Sequence, residues 1–127
     1  MSSKKFATAI NCMDGRVQLP VIDWLKTQFN VDYVDMITEP GPNKILAENK
    51  PSWLIESLQR RVKISVDKHQ SLGIAVIGHY DCAGNPVEKD QQILQIKTAV
   101  KTLQSWGFDL PVIGLWIDDQ WTVQRVI

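Results

Sequence analysis

Long apolar runs, an excess of either charge and a dense set of cysteines are all missing from this 127-residue sequence. No apolar run approaches the roughly 18 residues that a bilayer-spanning helix needs, so nothing points to a membrane. The start, Met1-Ser2-Ser3-Lys4-Lys5-Phe6, has two lysines but no apolar core or small-residue cleavage site, and does not read as a signal peptide. Lys and Arg number 14, Asp and Glu number 14, and the formal net charge is zero. That leaves no electrostatic footprint for nucleic acid or an anionic surface. Two cysteines are too few for a disulfide framework, and a chain of this length buries a core without one. No repeat, low-complexity tract or linker interrupts it, so one domain over 1–127 is expected. A cytoplasmic, reducing location follows, where two cysteines more often serve a metal or catalysis than a disulfide.

What is present is an alternation of strand and helix signals. Short β-branched runs at about 6–11, 31–38, 74–78 and 110–117 predict strands. Helical spacing of apolar residues predicts helices over 17–30, over 51–70 with Gly73 as its stop, and over 88–106 with Ile93, Ile96, Val100 and Leu103 inward and Gly107 as its cap. Glu39-Pro40-Gly41-Pro42-Asn43 carries breakers and predicts irregular structure. Asp118-Asp119-Gln120 predicts a tight turn into a short last strand over 121–127. The fold class expected is therefore α/β and three-layered. Its central, mostly parallel sheet has the order 2-1-3-4, a short antiparallel fifth strand at the edge, and helices on both faces.

The only two cysteines each lie just past an expected buried strand. Cys12-Met13-Asp14-Gly15-Arg16 follows the first strand, and Gly78-His79-Tyr80-Asp81-Cys82-Ala83-Gly84 ends the third. In an open parallel sheet, ligands bind beyond the carboxyl ends of the strands where strand order reverses, and the order above brings both segments there. A buried cysteine alone reads as a small hydrophobe. Two at strand ends, with a histidine, read as soft and borderline donors that suit zinc and leave a fourth position open. Asp14 either fills that position or pairs with Arg16, which would keep it ionised and an acceptor only. Asp81 reads as a turn residue, His69 as structural or solvated near a helix end, and the five tryptophans as core or subunit contacts. A thiol nucleophile with His79 as its base is the metal-free alternative.

Cys-x-Asp-x-Arg after strand one, with His-x-x-Cys after strand three, resembles the β-class carbonic anhydrases over most of the chain. The resemblance implies Zn2+ held by Cys12, His79 and Cys82, with Asp14 and Arg16 as a catalytic dyad or Asp14 as fourth ligand. It implies a lyase that reversibly hydrates CO2 to bicarbonate with hydroxide generated on zinc. Two thiolate ligands imply activity that rises with pH. Gly41, Gly84 and Glu39 are then candidates for the substrate pocket, and a homodimer or larger even-numbered homo-oligomer is implied. The chain departs from the family in three places. Only 11 residues precede Cys12, where the family has a helical arm. Thr38–Asn43 replaces an Arg-Asn-Ala-Gly-Asn-like segment, and Ala83 replaces the first of two glycines. A metal-binding relative without CO2 hydration, or a hydrolase of carbon disulfide or carbonyl sulfide, are the alternative functions.

Overall fold

The first strand, β1 (Phe6–Cys12), and the third, β3 (Ile74–His79), are buried along nearly their whole length. Strands covered on both faces belong in the middle of a parallel sheet, and a computed structural model of the chain, which describes residues 4–127, places them there. The other strands are β2 (Tyr33–Glu39), β4 (Val112–Ile117) and β5 (Val123–Arg125). The order is β2-β1-β3-β4-β5, parallel except for the antiparallel β4–β5 edge, as the sequence implies. Part of the Met1–Phe6 segment, residues 1–3, lies outside the described residues.

The registers are uneven, and that shapes the site. β1 pairs with β2 as far as Cys12↔Glu39, and β3 pairs with β4 as far as His79↔Ile117. Between themselves β1 and β3 pair only from Thr8↔Ile74 to Ile10↔Val76. The two inner strands therefore separate before their carboxyl ends.

Helix α1 (Gln18–Phe29), preceded by a 3-10 turn at Gly15–Val17, lies on one face with Val21 and Leu25 against Ala9, Ala75, Ile77 and Leu115. Helices α2 (Pro42–Glu48), α3 (Ser52–His69) and α4 (Lys89–Ser105) cover the other face. There Leu46, Leu58, Val62, Ile96, Val100 and Leu103 close over Ile10, Ile74 and Val76.

Three expectations are corrected. Glu39–Asn43 is not wholly irregular: Glu39 ends β2, and Pro42 opens α2, a helix the sequence reading missed. Proline is pre-organised for the first helical position, where its missing N–H costs nothing. Gly73 does not stop α3. The helix closes at Gln70, in the left-handed region at φ 54°, while Gly73 makes room for the Phe29 ring. Ile93 is only half-buried, and the fully buried side chain beside it is Gln92. Gly107 does take a positive φ of 84° after α4.

Ile96 sits where α4 crosses the sheet over Gly78 and Gly114, two positions where a Cβ would collide with it. Ile96→Ala should cost about 2–5 kcal/mol, because the glycines cannot fill the space. Thermal unfolding should show a midpoint lower by roughly 10 °C; no change would mean that α4 does not close on the sheet at this point.

Candidate metal centre

Cys12 is the last residue of β1 and His79 the last of β3. Cys82 follows three residues on, after a bend in which Asp81 takes a φ of 58°. All three are buried. Among the described residues they form a group whose ligand atoms lie within 4.8 Å of one another. The two sulfurs are 3.9 Å apart, close to the about 3.8 Å that a tetrahedral ion with ordinary Zn–S bonds sets between two thiolates.

The histidine is oriented for the role. Its Nδ1 lies 2.7 Å from the Tyr80 carbonyl, which can only accept, so Nδ1 carries the proton and Nε2 keeps its lone pair. That Nε2 is buried with no hydrogen-bond partner. A buried lone pair costs free energy unless something takes it. Two thiols and an orphaned imidazole nitrogen facing one point fit a zinc-type cation.

In the protein alone, the two thiols divide one proton between them. Cys12 is held down to about 4, first by the hydrogen bond from Cys82, against the effect of burial, and then by His79 and the backbone N–H groups of Gly41 and Asp14. Cys82 is pushed up by that same bond to Cys12 and by burial, although the N–H groups of Gly84 and Asn85 pull the other way. Burial pulls His79 down, but the neighbouring Cys12 sulfur and the Tyr80 carbonyl outweigh it, and the net direction is up. A dication at this point takes both sulfurs as thiolates.

Asp14 stands outside the ligand group and is gripped by Arg16. The guanidinium donates to its carboxylate at 2.7, 3.1 and 3.3 Å, and the Arg16 backbone N–H adds a bond at 2.9 Å. The Arg16 hydrogen bonds hold the Asp14 carboxyl at about 2, despite partial burial. Arg16 also reaches across to the other loop, donating to Asp81 Oδ2 at 3.2 Å and to the Asp81 carbonyl at 3.1 Å. The Trp121 ring lies 4.5 Å from the guanidinium, with Tyr80 edge-on to Trp121. So Asp81 is a turn residue, as its sequence reading has it, and also a partner of Arg16. Gln18, which the sequence did not single out, donates to the Cys12 and Asp14 carbonyls at 2.7 and 3.0 Å.

Gly41 and Gly84 meet face to face. A Cβ on Gly41 would lie 2.8 Å from Asn85 Cβ, and one on Gly84 would lie 2.7 Å from Pro40. Gly41 also has a φ of 64°. Both glycines line a cavity of about 360 Å3 with Pro40, Lys44 and Lys50. A larger one of about 560 Å3 opens beside Cys82, walled by Tyr80, Val87, Glu88 and Trp116. The Glu39 carboxylate is taken by Arg61 of α3 at 2.6 Å. His69 is paired with Asp35 at 2.6 Å.

A family model described as "Putative carbonic anhydrase" matches residues 2–127. No curated relative matches the sequence. Among solved structures, the chain is similar to β-carbonic anhydrase isoform I of Trichomonas vaginalis, with 18% identity over 100% of this chain and 87% of that one, at a TM-score of 0.63. A carbonic anhydrase from Streptococcus mutans matches with 18% identity over 94% and 81%, at 0.61. One from the fungus Sordaria macrospora, described among two tetrameric β-carbonic anhydrases, matches with 13% identity over 98% and 82%, at 0.65. At these identities the structures establish a shared fold.

The grip of Arg16 is measurable without any metal. In Arg16→Gln, the Asp14 carboxyl should move up from about 2 toward the ordinary carboxylate range of about 4. Titration of its side-chain carbon by NMR reads this directly; an unmoved Asp14 would place the cause elsewhere.

Proposed function

The chain belongs to the β-class carbonic anhydrase family, and from that premise we propose that it is a zinc lyase interconverting CO2 and bicarbonate. The observation that carries this reading is the state of Asp14. It is held by Arg16 outside the Cys12–His79–Cys82 group, so three protein ligands leave one coordination position for solvent, as catalytic zinc sites require. A closed, purely structural site would need Asp14 to turn away from the guanidinium.

Cys12 Sγ, His79 Nε2 and Cys82 Sγ would hold the ion. Zinc bound there supplies a Lewis acid that lowers the pKa of water toward neutrality. The other steps belong to the chain. Asp14 stays ionised from the mildly acidic range upward and can only accept a hydrogen bond. Its carboxylate takes the O–H of the attacking water and turns the oxygen lone pair toward the CO2 carbon. Arg16 keeps that carboxylate from swinging onto the metal. Addition of water to CO2 yields bicarbonate and one proton, which leaves to solvent. Gly41 and Gly84, at the loop junction, and Glu39, at the end of β2, complete the proposed wall of the substrate site.

The chain acts in the cytoplasm as a homodimer or larger even-numbered assembly. Reducing conditions there keep both thiols available.

Stopped-flow CO2 hydration by zinc-loaded protein tests the reading. The rate should rise from about pH 7 to about pH 8.5 and fall at least about 100-fold in Asp14→Asn, which retains shape but presents a donor. Zinc-bearing protein no faster than buffer at both pH values would sink it.

A further inference from the structure

Behind the ligand loop four side-chain amides form a closed ring. Gln92 and Gln95 come from α4, Asn43 from the first turn of α2, and Asn85 from the ligand loop itself. Gln92, Asn43 and Asn85 are at most 1% exposed. Gln92 Nε2 donates to the His79 carbonyl at 2.8 Å and to the Asn85 carbonyl at 3.3 Å. Asn43 Nδ2 donates to Gln92 Oε1 at 3.0 Å and to Gln95 Oε1 at 3.4 Å. Asn85 Nδ2 closes the ring on Gln95 Oε1 at 2.6 Å.

The ring has one polarity. Backbone carbonyls only accept, so Gln92 must turn its NH2 toward His79 and Asn85. Its oxygen then faces Asn43, which must answer with NH2. Gly78 leaves room for the ring against β3, since a Cβ there would lie 2.7 Å from Gln92 Oε1 and 2.9 Å from Asn43 Nδ2. The ring is tied directly to the ligand segments. It holds the carbonyl of His79, and the loop it pins carries Cys82, whose carbonyl accepts from the Asn85 N–H at 3.2 Å. The helix it pins begins just after Gly41, which packs against Gly84 and Asn85 of that loop.

We propose that Gln92 and Asn43 are positioning residues of the metal centre, holding the ligand loop in its metal-binding arrangement before an ion arrives. This rests on the reading of Cys12, His79 and Cys82 as zinc ligands. It adds residues that touch neither metal nor substrate and act through backbone carbonyls. Loss of partners at this remove from a metal ordinarily weakens binding about 10–100-fold.

Gln92→Met removes both donors at similar volume, and Asn43→Ala breaks the ring at its far side. Zinc affinity is measured by competition with a chromophoric chelator. The thiolate-to-metal absorption of the Co2+-loaded protein and the melting temperature of the metal-free protein are read alongside. Gln92→Met should bind zinc about 10–100-fold more weakly and shift the cobalt spectrum, with the metal-free midpoint within about 5 °C of wild type. Asn43→Ala should act in the same direction, and the double variant should lose less than the sum of the two. Unchanged affinity and spectrum, strictly additive losses, or a loss matched by collapse of the metal-free fold would each overturn the proposal. Wild-type protein that takes up no zinc would instead overturn the metal-centre reading itself, a result distinct from a wild type that binds and variants that bind as well.

Discussion

The centre depends on where the two inner strands stop pairing. β1 and β3 are hydrogen-bonded neighbours only to Ile10↔Val76. Beyond that point β1 stays with β2 and β3 stays with β4. Sheet twist then carries the inner ends apart, opening the crevice expected where strand order reverses. Cys12 and His79 are the last residues of the diverging ends, so their side chains meet without distorting the ladder. Neighbouring strands lie about 4.8 Å apart. Cys82 reaches the same point from the bend beyond β3, its sulfur 3.9 Å from that of Cys12.

Arg16 joins the two loops across that crevice. Its side chain is 46% exposed, so the Coulomb attraction to Asp14 and Asp81 is screened by solvent. What the guanidinium contributes is direction. A planar fork satisfies the Asp14 carboxylate from several N–H groups while its remaining N–H groups reach the Asp81 carboxylate and carbonyl, and Trp121 covers one face. A lysine has the charge but not the fork. The terminal hairpin thus bears on Arg16 through the Trp121 ring and on the ligand loop through the Ile117 carbonyl, which accepts from the Tyr80 N–H at 2.9 Å.

The strands, the main helices and the Cys12, His79 and Cys82 donors were legible because each rests on a local signal: a buried β-branched run, a 3.6-residue stripe, a soft donor at or just past a strand end. The role of Asp14 was legible only as a choice between two partners, since an i to i+2 spacing permits both. The short helix α2 was hidden by Pro42, which breaks a helix from within and begins one at its first position. Gln92 was hidden more deeply. Amphipathic reading assigns buried helix positions to apolar residues, and Ile93 is the residue it selects. Only the fold shows that α4 begins over two carbonyls of the ligand loop, where a donor is worth more than a methyl group.

That exchange has a physical reason in the loop. Of residues 80–88 only Cys82 and Asn85 are buried. The loop's large apolar side chains, Tyr80 and Val87, stay exposed, so hydrophobic burial, which is non-directional and scales with area, does little to fix it. A loop of this kind is fixed through its backbone or not at all. Hydrogen bonds to the His79 and Asn85 carbonyls do this, and they are directional, which burial is not. Their donors must be buried to exclude competing water, and buried amides are tolerated only when nearly all their groups are satisfied. The ring meets that condition with one exception, Asn85 Oδ1, which has no partner. A lone Gln92 would leave its own oxygen stranded; Asn43 and Gln95 are there because the first donor needs them.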